Sequence, residues 1–208
     1  MRKRVHFALS SVIFLLIAAG GTGARGDFIT FDDLPGGFSL VPNGYGGLDW
    51  SNFIDVDGNS LLAGSGFRNG IVSSPNIAFN GGGNPALFSS TSPFTFVSGY
   101  LTGAWRDGLS IEIQGYLAGN LVHDSTITVN TTGPTLFAPN WQNVDTVQFL
   151  SSGGTTHPGL TGDGAQFVLD SLTVGHPVPE PSTLVLLSSL AVSLIGFHRH
   201  GGWARPTV

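Results

Sequence analysis

Three aspartates and a handful of aromatic residues are the parts of this sequence with chemistry to offer. Asp32 and Asp33 close the stretch "FITFDD", residues 28–33, and Asp170 interrupts the apolar run "QFVLDSLTV", residues 166–174. In a strand, alternate residues point the same way, so Asp170 is expected on one face with Val168, Leu172 and Val174. A carboxylate in apolar surroundings must find a partner or take up a proton. The central region contains no lysine, and its only arginines are Arg68 and Arg106. With the first strand lying near the last, Asp32, Asp33 and Asp170 plus backbone carbonyls form an oxygen donor set suited to a structural Ca2+. The alternative is that Asp170 faces solvent or accepts backbone N–H bonds. The segment "DVDGNS", residues 55–60, opens like a calcium loop, but Gly64 and Ser65 stand where the closing acid belongs. It reads as an Asp-Gly turn.

Aromatic side chains offer a second chemistry, because the apolar face of a pyranose ring stacks on Trp or Tyr. Tyr45, Trp105, Tyr116 and Trp141 are the candidate carbohydrate residues, and Trp50 and Tyr100 are further aromatics of the same kind. "GYGGLDW" and "GAWRDG" put several of them at loop edges, where binding sites concentrate. Core packing is the competing use, and Trp50 is expected there. Signatures of catalysis are missing: the chain has no G-x-S-x-G elbow, phosphate loop or H-E-x-x-H. His123 beside Asp124 and His157 before Pro158 can be combined with some serine into a triad, and a glycosidase needs two facing carboxylates. No spacing nominates either arrangement, and a non-enzymatic protein is expected.

The elements that must position these residues are strands. "FITFDD" (28–33), "LDWSNFIDV" (48–56), "NIAFN" (76–80), "FTFVSGYL" (94–101), "LSIEIQGYL" (109–117), "STITVN" (125–130), "VDTVQFLS" (144–151) and "QFVLDSLTV" (166–174) are each short, and apolar residues recur through them. In "LSIEIQ", Leu109, Ile111 and Ile113 face one way and Ser110, Glu112 and Gln114 the other. Turn signals such as "LPGG", "FNGGGNP" and "LAGN" separate the runs. The expected fold is all-β, an antiparallel sandwich or jelly roll over residues 27–174.

Charge and the two ends bound the rest. All 13 acidic residues lie between Asp27 and Glu180, opposed there by Arg68 and Arg106 alone, for a net −11. Such a body has no electrostatic reason to bind nucleic acid. The absence of cysteine rules out disulfides and thiolate metal sites. Residues 1–26 combine a basic opening, thirteen mostly apolar residues from Phe7 to Ala19 and a small-residue exit, the pattern of a signal peptide cut after Ala24 or Gly26. A short membrane anchor is the alternative. At the far end, residues 175–182 form a proline-stiffened linker. Thr183–Phe197 is uncharged and is expected to be a short transmembrane helix of roughly 22 Å at 1.5 Å per residue, with a buried core helix as the alternative, and residues 198–208 read as a basic tail. The basic ends flanking an acidic body fit the positive-inside rule.

Pro179-Glu180-Pro181, the apolar span and the cluster His198-Arg199-His200 together resemble the PEP-CTERM sorting signal of exported proteins in Gram-negative bacteria. The resemblance covers about the last 30 residues of the chain. It implies processing near the motif by exosortase, a membrane-embedded cysteine transpeptidase. It also implies anchorage in the inner membrane before processing, then residence in the envelope or outside the cell. The stretches "ITFDDLP", "IEIQGYLAGNLV" and "FVLDSLTV" are similar to those of galactose-binding-like jelly rolls. The expected function is a non-enzymatic envelope or matrix protein associated with surface polysaccharide. A secreted carbohydrate-active enzyme stands as the alternative. So does an ice-binding surface, since Thr126, Thr128, Asn130 and Thr132 share a face in "TITVNTT".

Overall fold

The alternation in "LSIEIQ" is realised in the computed structural model, which describes residues 25–176. Strand β7 (Arg106–Leu117) buries Leu109, Ile111 and Ile113 completely and leaves Ser110, Glu112 and Gln114 half-exposed. A two-residue turn at Ala118 and Gly119, both with positive φ, returns the chain as β8 (Asn120–Val129). Two left-handed residues in a row are the geometry that matches the twist of a hairpin. On its other side β7 pairs antiparallel with β10 (Trp141–Thr156).

The strand that organises the molecule is β6 (Ala86–Gly103), 18 residues long. Its first half pairs with β10 and with β3 (Asp49–Ser51). Its second half pairs with β11 (Phe167–His176) and β9 (Thr135–Phe137). Along the far edge of β11 lie β5 (Asn76–Asn80) and then β1 (Arg25–Ile29). Beyond β5 come β4 (Phe53–Asp57) and β2 (Gly37–Leu40). Every pairing is antiparallel: eight strands follow the order β2-β4-β5-β11-β6-β10-β7-β8, with β1 branching from β11 and β3 and β9 from β6, and the sheet folds into a sandwich-like pair of layers. Between the layers, phenylalanines supply most of the bulk. Phe53 meets Phe149 and Phe167 edge-on at 5.9 and 6.1 Å, and Phe88 lies 5.8 Å from Phe149. Trp50 is buried among them, as expected of a core residue.

The β4–β5–β11 layer is buried on both faces. Phe53, Ala78, Phe167 and Leu169 point into the main core, and Val56, Ile77, Phe79 and Val168 point the opposite way. That reverse side is closed by residues 58–72, whose helical turn α1 (Gly66–Asn69) presses Phe67 onto Phe79 at 5.1 Å. All five residues of β5 are therefore buried, and its asparagines must bond internally. Asn76 Nδ2 donates to the carbonyls of Phe31 and Leu34, and Asn80 Nδ2 donates to Asn84 O and Ser151 Oγ.

Several sequence-based boundaries are corrected. The run 28–33 is strand only as far as Ile29, because Phe31 adopts φ +65° and is fully buried, turning "TFDD" into a loop. The run 48–56 is two strands broken at Asn52, whose φ is +57° and whose amide donates to Gly81 O and Pro85 O. Strands β2 and β9 are additions, and β11 continues to His176. Among the described residues no helix is long and apolar enough to cross a membrane. The expected signal helix, the Pro179-Glu180-Pro181 motif, the transmembrane helix and the basic tail lie outside the described residues.

Candidate functional site

Where β1 ends, the chain inverts. The left-handed Phe31 drives its ring inward, 5.9 Å from the ring of Tyr45 and 5.5 Å from that of Trp50, and the next two residues turn outward. Those residues are Asp32, half-exposed, and Asp33, exposed. Asp32 Oδ1 accepts the Asn76 N–H at 2.9 Å, and the Leu34 N–H donates to Phe31 O at 3.0 Å to close the turn. Facing this turn is the 3-10 turn Tyr45–Gly47. Gly46 there has φ +60°, and a Cβ on it would lie 2.4 Å from Ile29 Cδ1. Only glycine lets this turn rest on β1. Trp50 anchors the turn from below, its indole N–H donating to Tyr45 O at 2.9 Å.

The two turns enclose an open cleft of about 580 Å³ lined by Phe28, Ile29, Thr30, Asp32, Asp33 and Tyr45, with Gly44 and Gly46 supplying bare backbone. Its volume falls within the range of small-molecule sites. The Tyr45 hydroxyl donates to Asp33 Oδ1 at 2.5 Å. Burial first, then the bond to Asp33 and its charge, hold that hydroxyl's pKa far above the ordinary tyrosine value. Tyr45 therefore stays a protonated donor at any biological pH. Phe28 is 63% exposed, a large ring left in water at the cleft's edge.

The structure brings three of the sequence candidates to this cleft: Asp32 and Asp33, expected to hold a metal, and Tyr45, expected to meet a sugar. Phe28 was missed. Its signal was present in the alternation of β1, which sends Phe28 to the side opposite buried Ile29.

Other candidates are placed elsewhere. Trp105 packs edge-on against Phe67 at 5.2 Å and helps close the second hydrophobic cluster, the one on the reverse side of the β4–β5–β11 layer. Trp141 stacks on His123 with centroids 5.1 Å apart and planes 8° from parallel, and meets Phe137 edge-on at 5.6 Å. Gly115 permits this, since a Cβ there would stand 3.2 Å from the indole and 3.3 Å from His123 Cβ. Trp141 thus caps one end of the core. Tyr116 is on the outer face of β7, donating to Gln114 Oε1, while Gln114 Nε2 donates to Glu112 Oε1, both at 2.6 Å. Tyr100 is half-buried, paired across β6 and β11 with Asp170.

Asp170 is completely buried. Ser171, at φ +51°, forms a bulge that reverses the alternation, so Leu172 and Val174 join the main core while Asp170 stays on the side of Val168. The expected common face with Leu172 and Val174 is corrected by that bulge. Asp170 Oδ2 accepts the N–H groups of Val72 and Ser73 at 2.7 and 2.9 Å. Its Oδ1 accepts Ser73 Oγ–H at 2.9 Å and the Ser171 N–H at 2.5 Å. Burial raises its pKa and these bonds pull the other way. The backbone-acceptor alternative describes it. Both oxygens face N–H and O–H donors, a setting that does not fit Ca2+. Among the described residues no three His, Asp or Glu side chains converge on a common point, so Asp32, Asp33 and Asp170 are not brought together. The Asp-Gly turn is present, with Asp57 Oδ1 accepting the Asn59 N–H.

Asp107 and His157 make the nearest approach to catalytic geometry, with Nδ1 2.6 Å from Oδ2. The other Asp107 oxygen accepts the Thr131 N–H and Oγ–H, both at 2.8 Å, and the Thr131 backbone bond leads in lowering its pKa. Among the described residues no serine hydroxyl bonds to His157. Thr126, Thr128, Asn130 and Thr132 are exposed, but β8 ends at Val129 and Asn130 Oδ1 accepts the Gly108 N–H.

No protein-family model and no curated protein matches this chain. Among solved structures it is similar to a DUF4465 family protein from Bacteroides caccae, at 12% identity and TM-score 0.44 over 61% of this chain and 78% of that one. A second DUF4465 family protein, from Bacteroides ovatus, matches at 8% identity and TM-score 0.44 over 74% of this chain and 84% of that one. TmCBM61, solved with β-1,4-galactotriose, matches at 9% identity and TM-score 0.35 over 70% and 97%. At such identities and scores, none of these likenesses carries a residue role across.

Proposed function

We propose that this chain is an exported, non-catalytic envelope or matrix protein, sorted through its Pro179-Glu180-Pro181 tail, whose sandwich binds surface polysaccharide at the Tyr45 cleft. The observation that carries the binding role is an exposed ring, Phe28, beside a Tyr45–Asp33 hydrogen-bonded pair in one open cleft. A sugar presents an apolar face and a rim of hydroxyls. Phe28 offers a stacking surface, Asp32 and Asp33 accept hydroxyl protons, and the tyrosine–aspartate bond fixes one of those acceptors in place. Few polar groups on an apolar wall is the usual build of a small-molecule site.

The full-length protein on a polysaccharide panel is expected to bind, and Tyr45→Ala to lose most of that binding while melting within a few degrees of wild type. Binding unchanged in Tyr45→Ala removes the cleft from the function. For the sorting, intact mass of protein from the native envelope is expected to show about 24 residues lost at the N-terminus and a new C-terminus near Pro179–Thr183. An uncut mass overturns that part.

A further inference from the structure

The cleft carries charge of one sign. Asp32 and Asp33 line it, no cation is among its lining residues, and among the described residues neither aspartate takes part in an ion pair. Each has one oxygen committed, Asp32 Oδ1 to the Asn76 N–H and Asp33 Oδ1 to the Tyr45 hydroxyl. The second oxygen of each receives no donor from the described residues. Arg106 cannot compensate, because it is held by Asp163 at 2.7 Å.

Two adjacent carboxylates without a counter-charge repel an acidic sugar and attract a cation. The rings of Phe28 and Tyr45 favour the same ligand, since an ammonium over an aromatic face gains a cation–π attraction. Neutral hydroxyls alone would leave the charge pair unanswered. We infer that the cleft selects an amino sugar with a free, protonated amine: the pyranose stacks on Phe28 and the ammonium sits against Asp32 and Asp33. The partner is then a polysaccharide containing deacetylated hexosamine. This inference rests on the polysaccharide reading and narrows it.

The test uses the full-length protein at pH 6 and low salt with three oligosaccharide probes of matched length: deacetylated β-1,4-glucosamine, its fully N-acetylated form, and β-1,4-glucose. Acetylation removes the amine's charge and leaves the chain otherwise alike. The deacetylated probe is expected to bind at least tenfold more tightly than the other two. Asp32→Asn with Asp33→Asn is expected to cost about tenfold or more, the size of a lost charge-assisted contact, and Asp124→Asn on β8 to change nothing. Equal binding of all three probes, lost in Tyr45→Ala, overturns the amine inference and keeps the sugar site. Preference for the deacetylated probe that survives the double substitution overturns it too, as general attraction to an acidic body. Binding of no probe overturns the inference and the polysaccharide reading together.

Discussion

The back of the β4–β5–β11 layer and the mouth of the Tyr45 cleft are each organised around an aspartate. Asp170 is fully enclosed, and its two oxygens accept four strong hydrogen bonds, three of them from residues 72 and 73. It pins the loop that closes the second cluster. Asp33 is exposed and accepts a single bond, from the Tyr45 hydroxyl. Solvation separates their uses. A buried carboxylate must spend its full accepting capacity on the protein, because each unmet bond costs about 1–3 kcal/mol. An exposed one can leave an oxygen for a ligand, since water serves it in the meantime.

The largest effect expected is at Asp170. Asp170→Ala strands the Val72 and Ser73 N–H groups and is expected to cost about 3–5 kcal/mol in urea denaturation. Asp170→Asn is expected to cost about 2–3 kcal/mol, because either amide orientation sets an NH2 against two donors. A loss below 1 kcal/mol in both would erase the contrast with Asp33. The pH dependence sharpens it. Burial raises the folded pKa of Asp170 above the ordinary 3.8, so its contribution is fully present below 3.8 and is lost as pH rises through the folded value. Wild type should therefore exceed Asp170→Asn by more at pH 3.5 than at pH 7. Asp107 runs the other way: its lowered pKa gives stability that is present above 3.8 and lost as pH falls through the folded value.

Gly46→Ala should produce a smaller loss of stability but a direct loss of binding. Its Cβ meets Ile29 and its φ is left-handed, so a cost of about 1–3 kcal/mol is expected. The 3-10 turn must then lift from β1, carrying Tyr45 away from Asp33. Thermal unfolding reads the first effect, and oligosaccharide titration reads the second. Unchanged affinity would show that the turn's seat on β1 does not set the cleft.

Alternation alone determined much of this protein. "LSIEIQ" lies in its strand with the expected faces, because a half-buried strand writes its burial into every second residue. "NIAFN" is β5 from end to end as a short apolar run bounded by turn residues, although all five of its residues are buried. The turn "LAGN" was legible from Gly119, because glycine takes positive φ at no steric cost, although Ala118 beside it shares that conformation. What alternation could not convey is where it breaks. Phe31, Asn52 and Ser171 each adopt a positive φ that no local preference demands, held there by a buried ring, a trio of carbonyls and a buried carboxylate. At Phe31 and Asn52 the contacts come from residues distant in the chain, and at Ser171 the neighbouring Asp170 is itself held by the distant Val72 and Ser73. The inversion at Phe31 turns Asp32 and Asp33 outward beside Tyr45, and the one at Ser171 leaves Asp170 on the back of its layer. Composition supplied the aspartates and the aromatics. Only the tertiary packing decided which aspartate would hold a loop and which would stand exposed in a cleft.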